Sequence, residues 1–239
     1  MSATNPSPLH DSSHIPRLAL RGCEVALLSA KTVAEGISAG STILMQQVRR
    51  YEEELDTLDR QINEEVTTSL ERGCGARTRE LLSCLKFIIE LERIGDLLLN
   101  VANRLQTVGT RLQEQDTHDL SLMASIVASM LRDVGEAFAT REVRRALEVL
   151  KADAELDRLR NLVIVRHIEN PENEPRQESF HLVFISQSLE RAGDHAKNLA
   201  EEICHLVSGR SVRHILREYD RPLEQVYLEK MRRSSGARP

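Results

Sequence analysis

Apolar residues recur along this chain at alternating steps of three and four, and the scheme is written twice. That spacing is the seam of a helix packed in a bundle rather than the alternation of a strand. In the first half the seams are Leu20, Cys23, Leu27, Ala30, Ala34 and Ile37, then Val48, Tyr51, Leu55, Leu58 and Ile62. A third runs Cys84, Phe87, Leu91, Ile94, Leu98, Val101, Leu105 and Val108. The second half answers with Leu120, Met123, Val127, Met130, Val134 and Ala137 at an offset of 100, and with Val149, Ala152, Leu156, Leu159 and Val163 at 101. Leu182, Ile185, Leu189, Ala192, Ala196, Leu199, Ile203 and Leu206 follow at 98. Six seams at nearly one offset mark an internal duplication of a three-helix unit.

The fold this predicts is all-α: two tandem antiparallel three-helix bundles, with helices of about 25–32 residues, or ~40–48 Å. Punctuation agrees. "AGST" at 39–42 and "ATRE" at 139–142 fall at one place in each half. "ERGCGART" at 71–78 and "ENPENEP" at 169–175 separate the second and third helices. The division expected is a disordered leader at 1–16, a first bundle at 17–110, a second at 116–209 and a charged tail at 210–239. The tail, "HILREYDRPLEQVYLEKMRR", has no first-half counterpart and reads as a further helix broken at Pro222, its Arg-rich end solubilising.

Composition narrows the class. With no Trp, three Tyr and four Phe, the core must be built from Leu, Ala, Val and Ile. A balance of 32 basic against 37 acidic residues argues against a nucleic-acid binder. Cys23, Cys74, Cys84 and Cys204 stand far apart, with no C-x-x-C pair, as free thiols of a reducing compartment. No apolar run approaches the ~20 residues of a membrane span, and the start lacks a signal-peptide pattern. A cytoplasmic protein is expected.

Acid pairs at i,i+4 flank the seams. They are Glu52 and Asp56, Glu92 and Asp96, Asp153 and Asp157, and Glu190 and Asp194, with Asn100 and Asn198 four residues past the third-helix pairs. Chance alone supplies about five or six such pairs in a chain of this acidity, so a single one reads as a solvated face. Recurrence at matching positions of both halves shifts the balance. Like charges at i,i+4 cost ~0.2–0.5 kcal/mol per pair, and partial burial adds to that unless a cation neutralises them. Gly95 and Gly193, inside "LERIGD" and "LERAGD", each cost about 1 kcal/mol relative to Ala. Close approach of a neighbouring helix is the plain explanation, and room beside an ion cluster the sharper one. Antiparallel pairing would set Glu52 and Asp56 opposite Glu92 and Asp96, and Asp153 and Asp157 opposite Glu190 and Asp194. Such oxygen donors suit hard or borderline cations.

"ERIGDLLLNVANR" and "ERAGDHAKNLAEEI" resemble the paired signature of the PhoU family of phosphate-signalling proteins, over about residues 14–214 and including "GRSVRH" at 209–214. The resemblance implies a PhoU-like fold and a non-enzymatic accessory protein that restrains phosphate uptake and starvation signalling. Its implied partners are the ATPase subunit of a phosphate ABC transporter and a sensor histidine kinase, reached at the membrane through those partners alone. A homodimer is also admitted. It further implies metal ions, iron, zinc or manganese, held by Glu52, Asp56, Glu92, Asp96, Asp153, Asp157, Glu190 and Asp194, with Asn100 and Asn198 as the motif's extension. Two departures stand out: Leu97 where the second half has His195, and Arg160 at the level of Asp59.

Two other classes are weighed. A carboxylate-bridged di-iron oxidase wants two Glu-x-x-His units on different helices of one bundle. Glu178-x-x-His181 and Glu202-x-x-His205 lie on one helix instead, ~36 Å apart. Hydrolase and phosphate-cradling motifs are absent. A metal-free helical adaptor, docking basic partner surfaces on its acid stripes, differs from the regulator only in whether ions fill the sites.

Overall fold

The computed structural model describes residues 14–73, 75–109, 112–169 and 177–209. Six α-helices carry the described residues: α1 (His14–Ala39), α2 (Thr42–Glu71), α3 (Thr78–Val108), α4 (Glu114–Thr140), α5 (Val143–Ile164) and α6 (Gln177–Ser208). A 3₁₀ turn at Gly75–Arg77 leads into α3, and a π turn at Val165–Glu169 prolongs α5. The expected tail, most of the leader, Cys74 and the Pro-containing part of the 169–175 breaker lie outside the described residues. The first helix begins at His14, three residues before the boundary read from the sequence.

Every seam predicted for α3 and α4 is buried throughout, and α6 departs only at the half-buried Leu206. Removing such side chains from water, at roughly 25 cal/mol per Å² of apolar surface, is what holds helices of this length together. Burial on α1 and α4 extends well beyond one seam. Ala19, Val25, Ala26 and Val33 of α1, and Ala124 and Leu131 of α4, are fully enclosed. The reason is that the halves are fused: α1 packs along α4, and α3 along α6, so one apolar core runs through both units. Phe87 of α3 and Phe138 of α4 meet across this junction with ring centroids 4.4 Å apart. Cys23, Cys84 and Cys204 are buried core residues. Burial pushes the Cys23 and Cys84 thiols up to about 12, which leaves them unreactive.

The α3–α6 seam is antiparallel and partly polar. Ser83 donates to Glu202 at 2.7 Å, and Lys86 pairs with the same carboxylate at 3.0 Å. His195 Nδ1 lies 2.7 Å from Glu90, and the Arg104 guanidinium sits 4.5 Å from the Phe184 ring centre. On the other seam, Ser38 and Ser121 hydroxyls meet at 2.7 Å.

The duplication also shows in the turns. Gly40, after α1, has φ +60°, and Arg141, at the matching place after α4, has φ +59°. Gly takes this left-handed backbone freely, whereas Arg is strained by it. Arg141 is held there by an ion pair to Glu80 at 2.5 Å and by stacking 4.7 Å over Phe138.

A buried ionic knot closes one end of the second unit. Arg166, in the π turn, reaches Asp116 and Asp119 of α4 at 2.5 Å each, and His167 Nε2 lies 2.9 Å from Asp116. Burial alone would raise the Asp116 carboxyl, but the His167 and Arg166 hydrogen bonds outweigh it and hold it below the ordinary range. A depressed carboxyl stabilises the fold above its unfolded value near ~3.9 and loses that contribution as pH falls through the folded value.

Gly95 and Gly193 are explained by helix approach. A Cβ on Gly95 would stand 2.7 Å from Leu55 Cδ1, and one on Gly193 2.2 Å from Leu156 Cδ1. Leu55 and Leu156 are themselves equivalent, fully buried seam residues. The missing side chains thus accommodate α2 against α3 and α5 against α6, and no ion is needed to account for them.

Gly95→Ala should therefore destabilise by about 1 kcal/mol, since overpacking of ~1–3 kcal/mol exceeds the helix-propensity gain. In a Leu55→Ala background the same change should stabilise, and urea melts of the four proteins measure that coupling; equal effects in both backgrounds would contradict the contact. Asp116→Ala should cost about 3 kcal/mol, the low end for breaking a buried pair because Arg166 keeps Asp119. Its deficit should shrink as pH drops toward 3, which denaturant melts across pH would record.

Candidate functional site

The carboxylates come together because of that close packing. Leu55 seats α2 on Gly95, and Arg49 donates to Asn103 at 3.2 Å, setting the antiparallel register. Residues beside the seam on each helix then flank one boundary: Glu52, Asp56 and Asp59 from α2, Glu92 and Asp96 from α3. Burial pushes the Glu52 carboxyl up, and the neighbouring charges of Asp56 and Asp96 add to it. Glu92 is raised by burial first, then by Asp96, with Asp59 and Asp56 contributing and Arg93 opposing. Asp59 is also raised by burial, against a hydrogen bond from Asn63. Of the nearby cations, Arg93 is mostly in solvent and 3.6 Å from Glu92. Asn100 is exposed one turn beyond Asp96.

The matching face between α5 and α6 is built differently. Arg160 Nη1 donates to Glu190 at 2.8 Å, and its Nη2 lies 3.4 Å from Asp157. Lys197 forms an ion pair with Asp153. Burial would lower the Lys197 ammonium, but Asp153 outweighs it and holds it above the usual lysine range. Glu190 is raised by burial, opposed by Arg160 and reinforced by Asp194 and Asp157. Asp194 is exposed. Asn198 turns toward the other half and donates to Glu90 at 3.0 Å, beside His195.

Both predicted sets of acids are thus brought to one helix boundary in each half, Asn198 being engaged across the α3–α6 seam. Among the described residues, no three His, Cys, Asp or Glu side chains are gathered into a chelating group. The acids stand as electrostatic neighbours rather than as a preformed cage. Oxygen-only donors and raised carboxyls, with Arg49, Arg60 and Arg93 all exposed and no enclosed counter-cation among the described residues, would suit a hard or borderline cation on the α2–α3 face. The α5–α6 face already contains its cations. Arg160 at the level of Asp59 was legible in the sequence. Lys197 lies outside the acid motifs, and its signal there is only that it stands where the first half has Leu99. The two Glu-x-x-His units do not converge: Glu202 is tied to Ser83 and Lys86 on α3, at the opposite end of α6 from Glu178.

The raised carboxyls give a signed expectation. A folded carboxyl with a raised pKa binds more protons than the unfolded one. Its contribution is present below the unfolded value near ~4.3 and lost as pH rises through the folded value. In chelator at pH 7, Glu52→Gln/Glu92→Gln should raise the melting temperature by about 1–2 °C. Its melting temperature should also vary less than the parent's between pH 4 and 7; a variant that melts lower at pH 7 would contradict the clustering.

The chain's two halves find matching counterparts among known proteins. The PhoU domain model matches residues 20–105 and again 120–203. A phosphate-specific transport system accessory protein PhoU homolog of Pseudomonas putida is 35% identical over 180 residues, 72% of this chain and 69% of its own length. One from Rhizobium meliloti is 28% identical over 200 residues, 80% of this chain and 84% of its own. The crystal structure of PhoU from Pseudomonas aeruginosa superposes with a TM-score of 0.76 at 26% identity, covering 83% of this chain and 97% of that one. The phosphate transport system regulatory protein PhoU from Streptococcus pneumoniae, 18% identical over 83% of this chain and 96% of its own, shares the fold with a TM-score of 0.75. With both repeats matched, the chain belongs to the PhoU family.

Proposed function

We propose that this protein is a non-enzymatic accessory regulator of phosphate-specific transport, restraining phosphate uptake and starvation signalling from the cytoplasm. Its partners in this reading are the transporter's ATPase subunit and a sensor histidine kinase, and it meets the membrane through them alone. The observation that carries the reading is family membership over both halves, supported by relatives named as accessory proteins of this transport system. Among the described residues, no helix is long and apolar enough to cross a membrane, in keeping with a peripheral role.

Metal ions, iron, zinc or manganese, belong to the same reading. On the α2–α3 face, Glu52, Asp56, Glu92 and Asp96 would hold them, with Asn100 one turn on. A bound cation would supply charge neutralisation, relieving the repulsion that adds to burial in raising Glu52 and Glu92. The chain's own contribution is to hold four carboxylates along one rigid helix boundary. A metal-free adaptor that docks basic partner loops on the same stripe rests on the same carboxylates, and metal content separates the two.

Asp96→Ala should lower the metal that copurifies with untagged protein, by elemental analysis, while circular dichroism stays unchanged. No metal in the parent, and no shift of its melting temperature on adding Mn²⁺, Zn²⁺ or Fe³⁺, would leave the adaptor. In pull-downs at high and low phosphate, the ATPase subunit and the kinase should both be retained. Retention of neither would remove the regulator reading.

A further inference from the structure

We infer that Arg160 and Lys197 serve the second half as built-in cations, so that the α5–α6 face takes no metal ion and the chain binds metal through its first half alone. The metal part of this inference rests on the cation reading of the α2–α3 face; the role of the two basic residues does not.

The duplication supplies the comparison. Each half sets two acids of its second helix against two of its third, beside a Leu–Gly contact, so both face the same electrostatic problem. The first half places a further acid, Asp59, and an apolar Leu99 at the positions where the second half has Arg160 and Lys197. Those two exchanges add two positive charges and remove one negative charge at one boundary. Both cations are engaged: Arg160 bridges Asp157 and Glu190, and Lys197 pairs with Asp153. Two of the three acids they hold are well covered, Glu190 at 13% and Asp153 at 15% exposed, while Asp157 is half exposed. Asp194 faces solvent, and Asn198 is committed to Glu90. A divalent ion on this face would have to displace a guanidinium and an ammonium from the carboxylates it needs, and would then lie beside both. Neither group donates to a metal while charged, and Arg stays charged at any accessible pH.

Exchanging these positions for their first-half equivalents tests this. Untagged parent, Asp96→Ala, Asp194→Ala and Arg160→Asp/Lys197→Leu proteins are loaded with Mn²⁺ or Zn²⁺ alone, and metal per chain and melting temperature are measured. Asp96→Ala should lose the metal, and Asp194→Ala should keep the parent's stoichiometry. The exchanged protein should take up more metal per chain than the parent, melt lower in chelator and recover on adding Mn²⁺. Loss of metal on Asp194→Ala would overturn the inference, as would an exchanged protein that stays helical yet gains none. A metal-independent arm decides the role of the cations even if the parent binds no metal. Arg160→Met/Lys197→Met should lower the melting temperature in chelator, and adding Asp153→Asn/Glu190→Gln should restore it. An unchanged melting temperature in Arg160→Met/Lys197→Met would reject the built-in cations.

Discussion

Two seam leucines, each seated where a glycine leaves no side chain, set the geometry from which the rest follows. Leu55 on Gly95 and Leu156 on Gly193 draw the second and third helices of each half together. Packing of this density leaves no latitude for the residues beside it. Acids one or two positions off the seam are therefore carried to a shared boundary, partly out of water, where their charges act on one another. The apolar contact is favourable, and the crowding of carboxylates is its electrostatic consequence. Glu52, Glu92 and Glu190 are all pushed upward, first by burial and then by neighbouring carboxylates, with Arg160 opposing at Glu190.

The halves answer this consequence in different ways, and the difference has a functional sense. Internal ion pairs give a face that is largely settled whatever ions surround it, as at Arg160 and Lys197. On the α2–α3 face the nearby cations, Arg49, Arg60 and Arg93, are exposed, and in the proposed reading that face answers to positive charge brought from outside, by a metal ion or a basic segment of another protein. One core through both halves, made by α1 on α4 and α3 on α6, then ties the responsive face to the settled one.

Much of this was legible in the sequence, because bundle seams and their duplication are periodic signals that short-range physics imposes. The i,i+4 acids were legible for the same reason: their position relative to Leu55 and Leu91 fixes which boundary they flank. What escaped was whatever depends on a second surface. Ala19, Val25 and Val33 are buried because α1 is covered by α4 as well as by its own bundle, and no single-helix period announces that. Asn198 follows its motif faithfully, yet its neighbour across the α3–α6 seam is Glu90, which only the docking of the halves determines. The knot of Arg166 with Asp116 and Asp119 joins residues about fifty apart through a π turn that carries no sequence signal of its own. The two glycines were read with two explanations, and the nearby leucine methyls decide for close approach.

In the proposed reading the first half's carboxylates form a cation-responsive cluster whose nearby cations are all exposed, while the second half's are engaged by Arg160 and Lys197. Carboxyl-carbon NMR titration of Glu52, Glu92 and Glu190, with and without Zn²⁺, tests it most directly. The account predicts that Glu52 and Glu92 titrate above an ordinary glutamate and that Zn²⁺ shifts both while leaving Glu190 in place. Ordinary titration of Glu52 and Glu92, or an equal response of Glu190 to the ion, would contradict it.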